Sequence, residues 1–96
     1  MSFKVQVMPE AVQEVTDIFV HHEGVATGLG ERFLNALDNC FADLAVNPWR
    51  EKSKADFRHA FVSRFPYRVV YEVHGQQVIV YQVRHTSRQP DSRFGP

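Results

Sequence analysis

The chain lacks most of the features that mark common functional classes. It has one cysteine, Cys40, so no internal disulfide can form. That position falls in an apolar helical pattern, where a small buried thiol is the ordinary occupant. A reducing cytoplasm suits such usage. No apolar run approaches the ~18–20 residues a membrane helix needs, and no charged segment followed by an apolar one opens the chain, so no secretory leader is expected. Glycine-rich phosphate loops, CxxC, HExxH and GxSxG are all missing. His21 and His22 are adjacent, so on a helix they point about 100° apart and cannot hold one metal ion. Neither a metal nor any other cofactor is expected.

Net charge is also lacking, because eleven Lys and Arg balance eleven Asp and Glu. A protein that holds RNA mainly by neutralising phosphates is usually basic, so this balance argues against one. The charges are unevenly spread. Residues 1–48 hold Lys4 and Arg32 against seven acids, while residues 49–96 hold nine Lys and Arg against Glu51, Asp56, Glu72 and Asp91. The asymmetry gives an oriented surface able to steer an anionic partner, although solubility charge alone produces similar splits.

With 96 residues and 44% hydrophobic content, the chain suits one small domain with one core over residues 1–96. Ser2 to Met8 alternates apolar and polar residues as a short strand does. Pro9 and Glu10 are placed to open a helix, which should end near Glu23-Gly24 with a glycine cap. Thr27 is the expected N-cap of a second helix. That helix carries Leu29, Phe33, Ala36, Leu37, Cys40, Phe41 and Leu44 as an apolar stripe and closes at Asn47-Pro48. Two helices joined this tightly form an antiparallel hairpin. Residues 49–56 read as a polar loop and 91–96 as a tail.

Residues 57–90 then hold three runs rich in Val, Tyr and Phe, with short joints at Ser63-Arg64 and His74-Gly75-Gln76-Gln77. This reads as a three-stranded antiparallel meander. The fold class is therefore α+β, with the helices packed on one sheet face. Strict alternation places Phe65, Tyr67, Val69, Tyr71, Val73, Ile79, Tyr81 and Val83 on the core face. The other face would collect Arg58, Arg68 and Arg84, with Glu72 as a nearby acid. An ordinary solvated sheet face accounts for the same arginines.

Three groups of residues carry a resemblance: Arg58, the run Phe65-Pro66-Tyr67-Arg68-Val69-Val70-Tyr71-Glu72-Val73, and the ending His85, Arg88, Pro90 (HxxRxP). In this order and at this separation they resemble the RelE/ParE superfamily, the toxin halves of bacterial type II toxin–antitoxin pairs. They look most like its ParE-like, plasmid-stabilisation branch. Ala11, Glu14, Val15 and Ile18 match the family's first helix, and Arg32, Phe33, Leu37 and Leu44 its second. About residues 3–90 are covered. The implied fold is a strand, a helical hairpin and three antiparallel strands.

The resemblance also carries site positions. Arg68 matches the phosphate-facing arginine of RelE-like ribosome-dependent nucleases, Arg88 the arginine at the exit of the last strand, and Arg58 the first basic position on the preceding strand. Two groups depart from that pattern. The second basic position falls at Ala60 or Phe61, and the late tyrosine falls at Phe94, which has no hydroxyl. Cations to stabilise developing charge are present, while most proton-transfer groups are missing. His85 alone has a side-chain pKa suited to proton transfer nearby, although a histidine ending a strand often only bonds the backbone.

The resemblance then implies a growth-inhibiting toxin that binds DNA gyrase rather than an enzyme and is neutralised by a cognate antitoxin, with Arg58, Arg68, Arg84, His85 and Arg88 as the target- or antitoxin-binding positions. A second class stays open: a ribosome-dependent mRNA endoribonuclease using Arg68, His85 and Arg88. A third is a detoxified member acting only as a protein-binding module.

Overall fold

A computed structural model describes residues 2–49 and 57–87. The expected loop beyond Trp49, the tail, Arg88 and Phe94 lie outside the described residues. The element order is β1 (Lys4–Val7), α1 (Pro9–Val25), α2 (Leu29–Val46), β2 (Arg58–Phe61), β3 (Tyr67–His74) and β4 (Gln77–His85).

The helical hairpin forms with two changes at its joint. Pro9 opens α1 as expected, but Gly24 stays helical and α1 runs on to Val25. The left-handed glycine is instead Gly28, at φ 87°, and it takes the N-cap position of α2 in place of Thr27. A glycine N-cap offers no side-chain acceptor. Glu23 of α1 supplies one, because its carboxylate accepts the Gly30 N–H at 2.9 Å. A carboxylate there also meets the positive end of the helix dipole. Gly30 lets the two helices touch, since a Cβ at that position would lie 2.8 Å from the Phe19 carbonyl oxygen.

The sheet order is β1-β4-β3-β2. The last three strands make the expected antiparallel meander, and β1 pairs parallel with the first half of β4, Lys4–Val7 against Gln77–Val80. At the β3–β4 joint, His74 pairs with Gln77 across a two-residue loop, and Gly75 holds φ 58°. At the β2–β3 joint Arg64 adopts φ 69°, a left-handed conformation unusual for a side chain of this size.

Strict alternation fails in β4. Val70 pairs with Gln82, but Tyr71 pairs with Val80, so β4 contributes one extra residue, Tyr81, at a bulge. A single inserted residue exchanges the faces on either side of it. Val78, Val80 and Val83 therefore all enter the core, with exposures of 0%, 0% and 1%, whereas Ile79 and Tyr81 leave the core face on which alternation had placed them. The core joins these valines with Tyr67, Val69, Tyr71 and Ala60 of the sheet and with Ala11, Phe33, Leu37, Cys40 and Leu44 of the helices. Cys40 is a buried free thiol. No described helix is long and apolar enough to cross a membrane.

Candidate functional site

The register decides which arginines share a surface. Arg68 pairs with Arg84 on one side and with Phe61 on the other. Cross-strand partners share a face, so Phe61, Arg68 and Arg84 form one row across three strands on the face away from the helices. Arg58 is not in it. It pairs with Tyr71 and lies two residues from buried Ala60, on the helix-facing side. Its guanidinium sits 5.1 Å from the centre of the Trp49 ring, a cation–π distance, and Trp49 in turn meets Phe3 edge-on at 6.0 Å. The expected grouping of Arg58 with Arg68 and Arg84 is therefore corrected. In the Arg58–His59–Ala60 run it is His59 that takes the outer parity.

Two arginines placed directly across a ladder repel each other, and α1 offsets this. β1 covers the edge of β4 only as far as Val80, leaving the backbone beyond it open. Glu14 closes that gap. Its carboxylate accepts the Val83 N–H at 3.0 Å and Arg84 Nε at 2.8 Å, and Glu10 lies 3.9 Å from Arg84 Nη2. The Arg84 guanidinium is therefore drawn round the sheet edge toward α1. Arg68 donates to the Thr86 carbonyl at 3.5 Å.

The row next to the arginines is His59, Val70 and Gln82. Val70 and Gln82 are fully buried, although they lie away from the helices. His59 Nε2 and Gln82 Oε1 are buried without a hydrogen-bond partner among the described residues. Burial, and then the nearby Arg68 charge, hold the His59 imidazole below its ordinary value, so the ring facing Arg68 is neutral near pH 7.

His85 occupies a different surface. It pairs with Tyr67, its ring meets the Tyr67 ring edge-on at 5.5 Å, and it lines a small cleft of about 160 Å³ with Glu14, Asp17 and Ile18 of α1. The Ser87 N–H donates to His85 Nδ1 at 3.1 Å. Nδ1 thus carries a lone pair, and the neutral ring holds its proton on Nε2. Tyr67 is hydrogen-bonded to His22 Nε2 at 3.0 Å, and burial raises its pKa. Burial, followed by the hydrogen bond to Glu72 and the charge of Glu72, pushes Tyr81 up to about 12. Neither phenol is suited to lose a proton near neutrality. Among the described residues no three His, Cys, Asp or Glu gather as metal ligands.

Three residues of this surface were not singled out from the sequence as site positions. In the sequence Glu14 matches only the family's first helix, and its spacing from Glu10 is the available signal. His59 and Phe61 alternate with Ala60 and could have been placed by parity once Ala60 was known to be core.

A family model described as ParE toxin of the type II toxin–antitoxin system parDE matches residues 5–90. No curated protein matches the sequence. Among solved structures, the chromosomal ParDE system of Pseudomonas aeruginosa superposes with a TM-score of 0.76 at 12% identity, covering 88% of this chain and 96% of that one. The RelBE2 toxin–antitoxin complex of Mycobacterium tuberculosis gives 0.68 at 22% identity, covering 88% and 99%. An arginine-to-alanine double mutant of Escherichia coli toxin RelE in its free state gives 0.65 at 18%, covering 90% and 85%. These likenesses support the strand, helical hairpin and antiparallel sheet. The match of the family model over nearly the whole chain establishes that the protein belongs to the ParE toxin family of type II toxin–antitoxin systems.

Proposed function

We propose that the protein is a cytoplasmic ParE-type toxin that inhibits growth by binding DNA gyrase and is neutralised by a cognate antitoxin. The observation that carries this reading is the division of the sheet. Arg68 lies on the outer face in register with exposed Phe61, whereas His85 lies on the helix side in register with Tyr67. General acid–base cleavage needs the proton-transfer group and the charge-stabilising cation at one scissile phosphate. Arg68 and His85 diverge instead. An exposed aromatic beside an arginine is, by contrast, a composition common at the centres of protein interfaces.

The second reading, a ribosome-dependent endoribonuclease, is favoured by one observation: neutral His59 lies on the same face as Arg68. Its imidazole would act in place of His85. Two assays separate the readings. In a gyrase supercoiling assay the purified protein is expected to inhibit or to trap cleaved DNA, and Phe61→Ala and Arg68→Ala should relieve that effect. With translating ribosomes, mRNA is expected to stay intact. Cleavage that disappears in His59→Ala and Arg68→Ala would establish the nuclease instead.

A further inference from the structure

The two edges of the sheet are finished differently. β1, at one edge, carries exposed Lys4 and Gln6, and the N–H of Phe3 just before it donates to the Ala45 carbonyl of α2 at 2.6 Å. β2, at the other, reads Arg58-His59-Ala60-Phe61. It holds no lysine, proline or acid, the residues that commonly keep an edge from pairing. Its one fixed charge, Arg58, is turned to the Trp49 ring on the helix-facing side. Phe61, 65% exposed, stands on the outer side.

The register shows which backbone groups of β2 are open. The Val62 N–H donates to the Tyr67 carbonyl, so Val62, Ala60 and Arg58 form the hydrogen-bonded pairs with Tyr67, Val69 and Tyr71. His59 and Phe61 alternate with them. Their N–H and C=O groups point away from β3, and no described strand lies on that side.

We infer that β2 is a self-association edge, along which two copies of this chain pair antiparallel about Ala60 and join their four-stranded sheets into one. With His59 of each copy opposite Phe61 of the other, all four open groups of each strand are satisfied. No other antiparallel register pairs both open residues within the strand. Cross-strand partners share a face, so exposed Phe61 packs against His59, whose ring is neutral near pH 7. Ala60 meets Ala60 of the second copy, and a small residue there lets the strands close. Each Arg68 stays on β3, three strand spacings or about 14 Å from its counterpart, beyond the screening length of about 8 Å.

A four-residue edge buries less than the ~1,200 Å² of a stable complex, so the pair forms and separates with concentration. Pairing covers Phe61 and so withdraws it from the face assigned above to the target, yet it does not depend on what that target is.

The full chain is followed from about 10 µM to about 1 mM by sedimentation equilibrium and amide hydrogen exchange. The average mass should rise from one copy toward two. Exchange at His59 and Phe61 should slow by at least about twofold over that range, while Ala60, already bonded to Val69, stays unchanged. Phe61→Lys puts a charge on an exposed edge position and should hold the chain as a single copy at about 1 mM. His59→Pro removes an outward N–H, keeps Phe61 and leaves the bonds to β3 intact, so it should also prevent association. Thermal melts of both variants confirm that they fold. A wild type that stays a single copy throughout overturns the inference, and so does association that survives either variant. Exchange at His59 and Phe61 that slows only when another protein is added assigns the edge to a different chain and overturns it too.

Discussion

Replacing Glu14 with alanine tests the account of the open sheet edge. The carboxylate makes two contacts that no other described group supplies: the Val83 N–H at 3.0 Å and Arg84 Nε at 2.8 Å. The side chains of Arg84 and Glu14 keep only 21% and 20% of their exposure, so water replaces neither contact fully. A hydrogen bond involving a charged group contributes about 1.5–3 kcal/mol, and a buried N–H left without a partner costs about 1–3 kcal/mol. The carboxylate left beside Arg84 is then that of Glu10, 3.9 Å away. A loss of roughly 3 kcal/mol follows, which for a domain of this size lowers the melting temperature by roughly 12–24 °C. Glu14→Gln keeps an acceptor for Val83 and loses the charge, so about half the effect is expected. Urea unfolding should show a lower midpoint with an unchanged slope. A double-mutant cycle with Arg84→Ala should return a coupling of about 1–2 kcal/mol. A Glu14→Ala loss below about 0.5 kcal/mol, or a coupling near zero, would refute the claim that α1 finishes this edge.

Further predictions concern two partly buried histidines and the helical joint. Burial, with the His21 charge second, lowers the His22 pKa, and burial with Arg68 second lowers that of His59, both from an ordinary 6.5. Between those lowered values and 6.5 the unfolded chain binds more protons than the native one, so stability is complete above 6.5 and falls as pH drops through that window. Urea midpoints at about pH 7.5 and about pH 5 should differ more in wild type than in His22→Gln/His59→Gln. Equal differences would contradict this. Gly30→Ala should destabilise by about 1–3 kcal/mol because the new methyl meets the Phe19 carbonyl at 2.8 Å. Gly24→Ala, with nothing within 4 Å, should stabilise by about 0.4–1 kcal/mol, and thermal melts of the pair check both signs.

The elements were legible because each has a local cause. Pro9 opens α1, the stripe from Leu29 to Leu44 shows which side of α2 is buried, and Gly75 marks the tight joint. What alternation could not supply was the bulge. Nothing in Val78-Ile79-Val80-Tyr81-Gln82-Val83 announces an extra residue, since both parities of that run are apolar enough to be buried. The choice is made by the partners: β1 pairs with Gln77–Val80, and the core must receive Val78, Val80 and Val83 together. Arg58 was misplaced for a related reason. Face assignments carry from one strand to the next only through the register, and a four-residue strand has too little pattern of its own to set one. Glu14 was visible as an acid in an amphipathic helix, but its role depends on where β1 stops.

The bulge also locates the candidate site. Below Tyr81, β4 is finished by β1, which takes up its edge hydrogen bonds from Gln77 to Val80. Above Tyr81 that neighbour is gone, and a helix carboxylate must do the same work for the Val83 N–H. A carboxylate brings a charge where a strand would bring none, so the second half of β4 can carry an arginine opposite another arginine. A fifth strand completing the edge would satisfy Val83 equally well, yet it would bring no carboxylate to Arg84. The shortened edge is therefore what lets α1 set a carboxylate against Arg84, at one end of the Phe61–Arg68–Arg84 row.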